Sequence, residues 1–456
     1  MYQTHSLNEK IKLFFTIFFP ILVTQVSFYL ISFFDTVMSG RAGAVDLAGV
    51  GVGSSLWMPV YTGLSGILLA VAPIVAQALG ARNIQQIQRT LYQGVYLAIG
   101  LSIATLILGF FLVPPAVDGM GLSDEGKRIA KGYLLALGFG VLPMFLFNVL
   151  RTLMDSLGKT RISMLLILLG LPINVGLNYI FIFGKFGVPA YGGVGAGIAS
   201  AITYWLLFLM AFAFVRNGKP FLEYRFLRSV ERIFWPRQKE LLKLGTPIGL
   251  AIFAEVSIFA AVTLLLSAYG DNIVAAHQAA INFASFVYML PLSASSALTI
   301  VVGYELGARR LQDAVRYAKI GIVLCLAVSL FSGGLLFWQN ERVAAIYTND
   351  AAVVELAAHF MIFAVFFQLS DAVAAPIQGI LRGFKDVNVT LILSLIAYWV
   401  IGLPLGYALA EQFGFGPDGY WIGLIAGLAA GAVLLVMRLI HIIKRYEAQP
   451  ITNETS

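Results

Sequence analysis

Twelve long apolar runs, almost free of charge, divide this sequence and decide what it can fold into. They cover approximately residues 13–38, 47–78, 90–114, 132–150, 162–184, 193–215, 244–268, 275–304, 320–339, 356–381, 387–410 and 419–437. About 20 such residues cross the hydrocarbon core of a bilayer as a helix. A membrane barrel would need strands of about ten residues that alternate in polarity, and no part of the chain alternates that way. With 59% hydrophobic and 12% charged residues and a mean hydropathy of +0.86, the chain has too little polar surface to cover a water-soluble globule. The expected fold is an all-α polytopic membrane protein. Its first apolar run is too long for the core of a signal peptide and leads into Asp35-Thr36-Val37-Met38 in place of a cleavage site, so it should remain as a span. The single cysteine, Cys325, falls in the ninth run and reads as a buried free thiol.

The net charge of +7 need not indicate nucleic acid, because of how it is distributed. With the amino terminus placed in the cytoplasm, 24 of the 30 Lys and Arg residues fall on the inner side. The outer loops keep only Arg41, Lys127, Arg128, Lys131, Lys185 and Arg342. This is the positive-inside pattern. It implies a multi-pass protein of the cell membrane with both termini cytoplasmic, and it needs no polyanionic partner. No loop is large enough for a nucleotide-binding domain and no GxxxxGK[ST] motif occurs, so ATP-driven transport by this chain alone is not expected.

The sequence also repeats. AQALGARN at 76–83 returns as GYELGARR at 303–310, and the same displacement of 227 carries Pro20 onto Pro247, Arg89 onto Arg316 and Gly94 onto Gly321. Leu122-Ser123-Asp124 falls against Thr348-Asn349-Asp350 with a displacement of 226. The chain therefore reads as two six-helix halves, 1–225 and 226–456. An even number of spans per half makes the repeats parallel, related by an axis along the membrane normal. Segment 216–243 joins the halves and carries eight inner basic residues interleaved with Phe, Leu, Ile and Trp. It suits either a helix lying on anionic headgroups or a solvated linker.

Against this apolar background two acids lie near mid-span, Glu255 in the seventh run and Asp371 in the tenth. A carboxylate there costs roughly 2.5–3.5 kcal/mol even on lenient scales, and such a residue usually faces a wet cavity or the protein interior. No Lys or Arg is expected inside a span to neutralise them. If the two share a cavity, repulsion and burial both favour taking up H+ or Na+. Asp35 lies near the outer end of the first span, Pro20 can bend that helix by removing a backbone donor, and Asn174 and Asn178 stand one turn apart in the fifth span. These form a candidate first-half polar site. Gln278 and His277 sit early in the eighth span. A structural role suits the histidine, and Gln278 is either a helix-to-helix bond or a ligand contact.

Taken together, PILVTQVSFYLISFFDTVMSG, the ALGAR loop, PIGLAIFAEVSIF, AAHQAA at 275–280 and SDAVAAPIQGILRG resemble the multidrug and toxic compound extrusion (MATE) transporters, specifically the NorM-type branch. The resemblance spans essentially the whole chain. It implies two six-helix bundles around a V-shaped central cleft, and secondary antiport that exports organic cationic drugs and dyes in exchange for inward Na+ or H+. It also implies coupling roles for Asp35, Glu255 and Asp371, with Na+ as a candidate ligand of the latter two. Asn174 and Asn178 would belong to the first-half site, Pro20 would bend the first helix, and Gln278 and Asp350 would contact substrate. The sequence departs from some relatives in having Asn178 where a related branch has aspartate, and Phe367 where some members have tyrosine. No cofactor beyond the coupling ion, no enzymatic activity and a monomeric state are expected. A lipid-linked precursor flippase of the same superfamily is the alternative, with a channel-like protein behind it; a flippase would need a strongly cationic cleft.

Overall fold

The computed structural model describes residues 3–226, 231–348 and 350–448. Among these residues, twelve helices are long and apolar enough to cross a membrane, one for each apolar run. They are α1 (Leu7–Ala42), α2 (Ala44–Gly80), α3 (Ile84–Asp118), α4 (Asp124–Ser156), α5 (Thr160–Phe183), α6 (Gly193–Asn217), α7 (Trp235–Tyr269), α8 (Asp271–Gly307), α9 (Leu311–Tyr347), α10 (Ala351–Gly383), α11 (Asn388–Gln412) and α12 (Pro417–Ala448). Most outrun their apolar cores, since Lys, Arg and Glu are good helix formers and extend the backbone ladder into polar sequence. Lys10, Arg151 and Arg382 therefore lie within α1, α4 and α10. This corrects the expectation that no basic residue stands inside a span: a run ends at its first charge, but a helix does not.

The repeat is reproduced in backbone detail. Arg82 and Arg309 both take the left-handed conformation, with φ of 55° and 59°. The following amide of Asn83 bonds back to the Ala78 carbonyl, and that of Arg310 to the Glu305 carbonyl, both at 2.8 Å. These are matched Schellman-type ends that satisfy the last carbonyls of α2 and α8. The other recurrent segment starts helices. The Ser123 hydroxyl accepts from the Gly126 amide at the head of α4, and the Asp350 carboxylate from the Ala352 amide at the head of α10, each relieving an unpaired first-turn donor.

The chain forms two compact units. One holds residues 19–79 and 83–249; the other holds, among the described residues, 3–18, 80–82 and 250–448. The boundary thus departs from a single cut at 225, because each unit ties down a helix start by polar bonds. In the first, Gln93 of α3, fully buried, accepts from the Phe234 amide at 3.0 Å, and Gln238 donates to the Gln93 carbonyl at 2.8 Å. In the second, the buried Lys10 ammonium reaches Asp313 of α9 at 3.0 Å and the Thr4 carbonyl at 2.9 Å. The joining segment 216–243, of which 227–230 lie outside the described residues, is neither one helix nor a loose tether. It holds the end of α6, a 3-10 turn at Lys219–Tyr224 with Phe221 buried, a stretch bonded to α3, and the start of α7.

Within the first unit α4 packs on α6, α2 and α3; within the second α10 packs on α8, α9 and α12. Small residues permit these approaches, as is usual where lipid removes the hydrophobic drive between helices. A Cβ on Gly379 of α10 would stand 2.1 Å from the Ser295 carbonyl oxygen of α8, and one on Gly197 of α6 would stand 2.6 Å from the Tyr133 carbonyl oxygen of α4. The helix α11 is wound differently, with π-helical turns at Ile396–Gly402 and Ala408–Gln412.

Candidate functional site

Each unit holds an acidic centre built on residues of its apolar runs. In the first, α1 brings Asp35 against α5 and α6. Its carboxylate accepts from the Asn178 amide at 2.6 Å and from the Ser200 hydroxyl at 2.6 Å. Asn178 also donates to the Asn174 carbonyl oxygen at 3.1 Å, and Asn174 to the Ser200 oxygen at 3.3 Å. Asn174 and Asn178 are fully buried, and Asp35 and Ser200 are buried beside them. The i, i+4 spacing read from the sequence therefore places both amides on the acid. The ring leaves one acceptor over, the buried Oδ1 of Asn178, which has no hydrogen-bond partner.

The second centre is built on α7, α8, α10 and α11. Glu255 and Asp371 lie close enough for their charges to act on one another. Tyr288 of α8 and Tyr398 of α11 both stand within the field of both acids. Among the described residues, the only hydrogen bond on either carboxylate is from the Tyr288 hydroxyl to Glu255, at 3.4 Å, which is long for an O–H···O contact. Gln368 lies one turn before Asp371 on the same face of α10, and both atoms of its buried amide are without partners. The π-helical turn of α11 carries Tyr398, and the neighbouring Trp399 indole donates to the Ala254 carbonyl at 3.1 Å, next to Glu255. Single π turns inside α-helices recur at functional positions because the extra residue re-aims side chains.

A cation does approach this centre. The Arg382 guanidinium donates to the Ser295 hydroxyl at 2.6 Å and acts electrostatically on Glu255. The two acids are therefore not wholly uncompensated, as the run-by-run reading had it, although no ion pair to either is formed among the described residues. Ser200, Tyr288, Tyr398, Gln368 and Arg382 were not singled out from the sequence. Hydroxyls are common in spans and carry no signal of their own, and Arg382 stands one residue beyond the end of the tenth apolar run.

The remaining candidates have simpler surroundings. Asp350 is exposed and caps α10. Gln278 is exposed on α8, its carbonyl accepting from Asn282. Pro20 lies inside the continuous helix α1, and the Thr24 hydroxyl bonds its carbonyl at 2.9 Å. His277 is buried, bonded to the Thr263 hydroxyl at 3.0 Å and edge-on to Trp421. Phe367 packs edge-on against Phe259, with ring centroids 5.5 Å apart. Cys325 is buried.

The MatE family model matches residues 20–180 and 247–408, one copy in each half and together most of the chain. The chain belongs to the MatE family. Among members of that family, it is 54% identical over 446 residues to the probable multidrug resistance protein NorM of Bacillus subtilis (strain 168), covering 98% of this chain and 99% of the relative. It is 52% identical over 448 residues to the probable multidrug resistance protein NorM of Oceanobacillus iheyensis, covering 98% of this chain and 100% of the relative. The fold is that of a solved multidrug resistance MATE family transporter in its outward-facing conformation, with a TM-score of 0.86 at 20% identity over 96% of this chain and 97% of that one. As a MatE member it is a multi-pass membrane transporter and not an enzyme.

Proposed function

We propose that this chain exports multiple drugs by secondary antiport, taking up Na+ or H+ in exchange for organic cations. Multidrug efflux rests on its close similarity to NorM proteins over their full length. The antiport reading rests on one observation, the Glu255–Asp371 pair. Two carboxylates sunk in an apolar bundle, sharing one long hydrogen bond and the remote charge of Arg382, carry more negative charge than their surroundings neutralise. A proton shared between them, or a Na+ held by carboxylate, phenol and amide oxygens, supplies the balance. A cationic drug supplies it equally well, so ion and drug compete for the same negative charge.

Competition becomes transport when the two ligands favour different conformations, since only differential binding moves an equilibrium. Entry of the coupling ion neutralises the pair and releases the drug; departure of the ion restores the charge that captures the next. Aromatic faces beside the acids, Phe259, Phe367, Tyr288 and Tyr398, suit flat cations through cation–π contact. Gln278 and Asp350 are assigned to substrate on its way in or out. The acid of the first unit, bonded to Asn178 and Ser200, is the secondary candidate for coupling. The positive-inside distribution supports cytoplasmic termini; residence in the cell membrane and action as a monomer belong to the same reading.

The test uses everted membrane vesicles containing the protein and a fluorescent cationic dye. Dye accumulation driven by an imposed Na+ or pH gradient, and lost on dissipating that gradient, is the expected result. Accumulation that persists with both gradients collapsed and requires ATP would refute antiport.

A further inference from the structure

A basic recess on the first unit has no part in ion coupling. Residues 231–235 run along the start of α3 and are pinned there by main-chain bonds. The Tyr96 hydroxyl donates to the Glu231 carbonyl at 2.5 Å, and Gln93 donates to the Arg232 carbonyl and accepts from the Phe234 amide, both at 3.0 Å. Because the backbone is held by buried Gln93, the side chains it carries are fixed in place. Arg89 lies one turn before Gln93 on the same helix. The outcome is an open cavity of about 250 Å³ lined by Arg89, Glu231, Arg232 and Phe234. Two arginines and one glutamate thus line it, and neither arginine forms an ion pair among the described residues.

Its surroundings are those of a lipid headgroup. Ile233, Phe234 and Trp235 are 54%, 48% and 67% exposed at its rim. Only 17% of the apolar window of α3 is buried by protein, which leaves most of it available to acyl chains. Tryptophan is enriched where helices leave the hydrocarbon, and basic pockets between spans on the cytoplasmic side bind anionic headgroups.

We infer that this recess binds the phosphate of an anionic phospholipid, with the acyl chains lying along α3 and against Ile233 and Trp235. The single excess positive charge matches a monoanionic phosphodiester, which two arginines grip with planar donor pairs. The Glu231 carboxylate accepts from a headgroup hydroxyl, such as that of phosphatidylglycerol, and disfavours a second negative charge. A free phosphate would use the arginines but none of the apolar rim.

Native mass spectrometry of the full chain released from vesicles tests this, using phosphatidylcholine alone and phosphatidylcholine mixed with phosphatidylglycerol. A single retained phosphatidylglycerol is expected. Arg89→Gln with Arg232→Gln should weaken its retention roughly 25-fold, at about 1 kcal/mol for each basic residue at an anionic surface. Trp235→Ala, which leaves both charges in place and serves if the double variant does not fold, should weaken it by a smaller factor. Thermal unfolding in detergent confirms that each variant is intact. Equal retention by the folded variants, equal retention of phosphatidylcholine, or displacement by millimolar inorganic phosphate would each overturn the inference.

Discussion

The two acidic centres solve the same problem in opposite ways. Asp35 in the first unit is embedded among donors, with an amide and a hydroxyl each at 2.6 Å from its oxygens. Glu255 and Asp371 in the second unit have one long phenolic contact between them and each other's charge to contend with. Burial costs both, but neighbouring donors offset more of that cost in the first unit than in the second. The two halves have thus diverged, one toward a carboxylate set among close donors, the other toward a pair with few. On the proposed antiport mechanism, the contrast assigns coupling to the second unit and predicts unequal responses to equivalent changes.

The largest effect is expected from neutralising the pair. Glu255→Gln with Asp371→Asn should cut gradient-driven dye efflux by roughly 5–150-fold, the usual span of a coupling free energy, as measured in vesicles with matched protein content. An unchanged rate would erase the distinction between the units. Next come the packing contacts that hold each centre in place. Gly379→Ala should destabilise by about 1–3 kcal/mol through overpacking, and Gly197→Ala by less, because its added carbon meets its neighbour at 2.6 Å instead of 2.1 Å. Melting midpoints in detergent would rank them, and the reverse order would show the second unit to be the more pliable.

Changes at the satisfied acid should be milder. Asp35→Asn replaces charge-assisted hydrogen bonds worth about 1.5–3 kcal/mol each with neutral ones of roughly half that strength. Transport should fall by about tenfold while the ion dependence of the remaining rate stays as it was; a shift in ion preference would instead place coupling in the first unit. The smallest effect has the opposite sign. Arg382→Gln removes the one positive charge that acts on Glu255, so the pair should hold its coupling ion more tightly. A half-saturating ion concentration lowered by about fivefold is expected, on the order of 1 kcal/mol for a charge without direct contact.

Much of this was legible in the sequence, and the exceptions have physical causes. Hydropathy located every span because lipid permits only one arrangement for a long apolar run with its backbone polar groups satisfied. The acids were conspicuous for the same reason, since Asp35, Glu255 and Asp371 are the only Asp, Glu, Lys or Arg residues inside the twelve apolar runs. The pairing of Asn174 and Asn178 with Asp35 followed from helical spacing once the helices met. What escaped notice depends on contacts that composition does not encode. Ser200 matters only because α6 passes Asp35, and Arg382 belongs to α10 although the apolar run ends just before it. The segment joining the halves was read by its charge, whereas its course is set by Gln93 and Tyr96 of α3 taking hold of its main chain.

The winding of α11 has a consequence for sequence length. Around Tyr398 the helix accommodates a surplus residue. Removing one position there would return the segment to ordinary pitch and re-aim the side chains within that turn, while the flanking helix stayed near its register. Every side chain on it would keep its polarity, and a hydropathy profile would barely change. The phenol that looks toward two carboxylates would nonetheless look elsewhere, so in this stretch the number of residues matters as much as their identity.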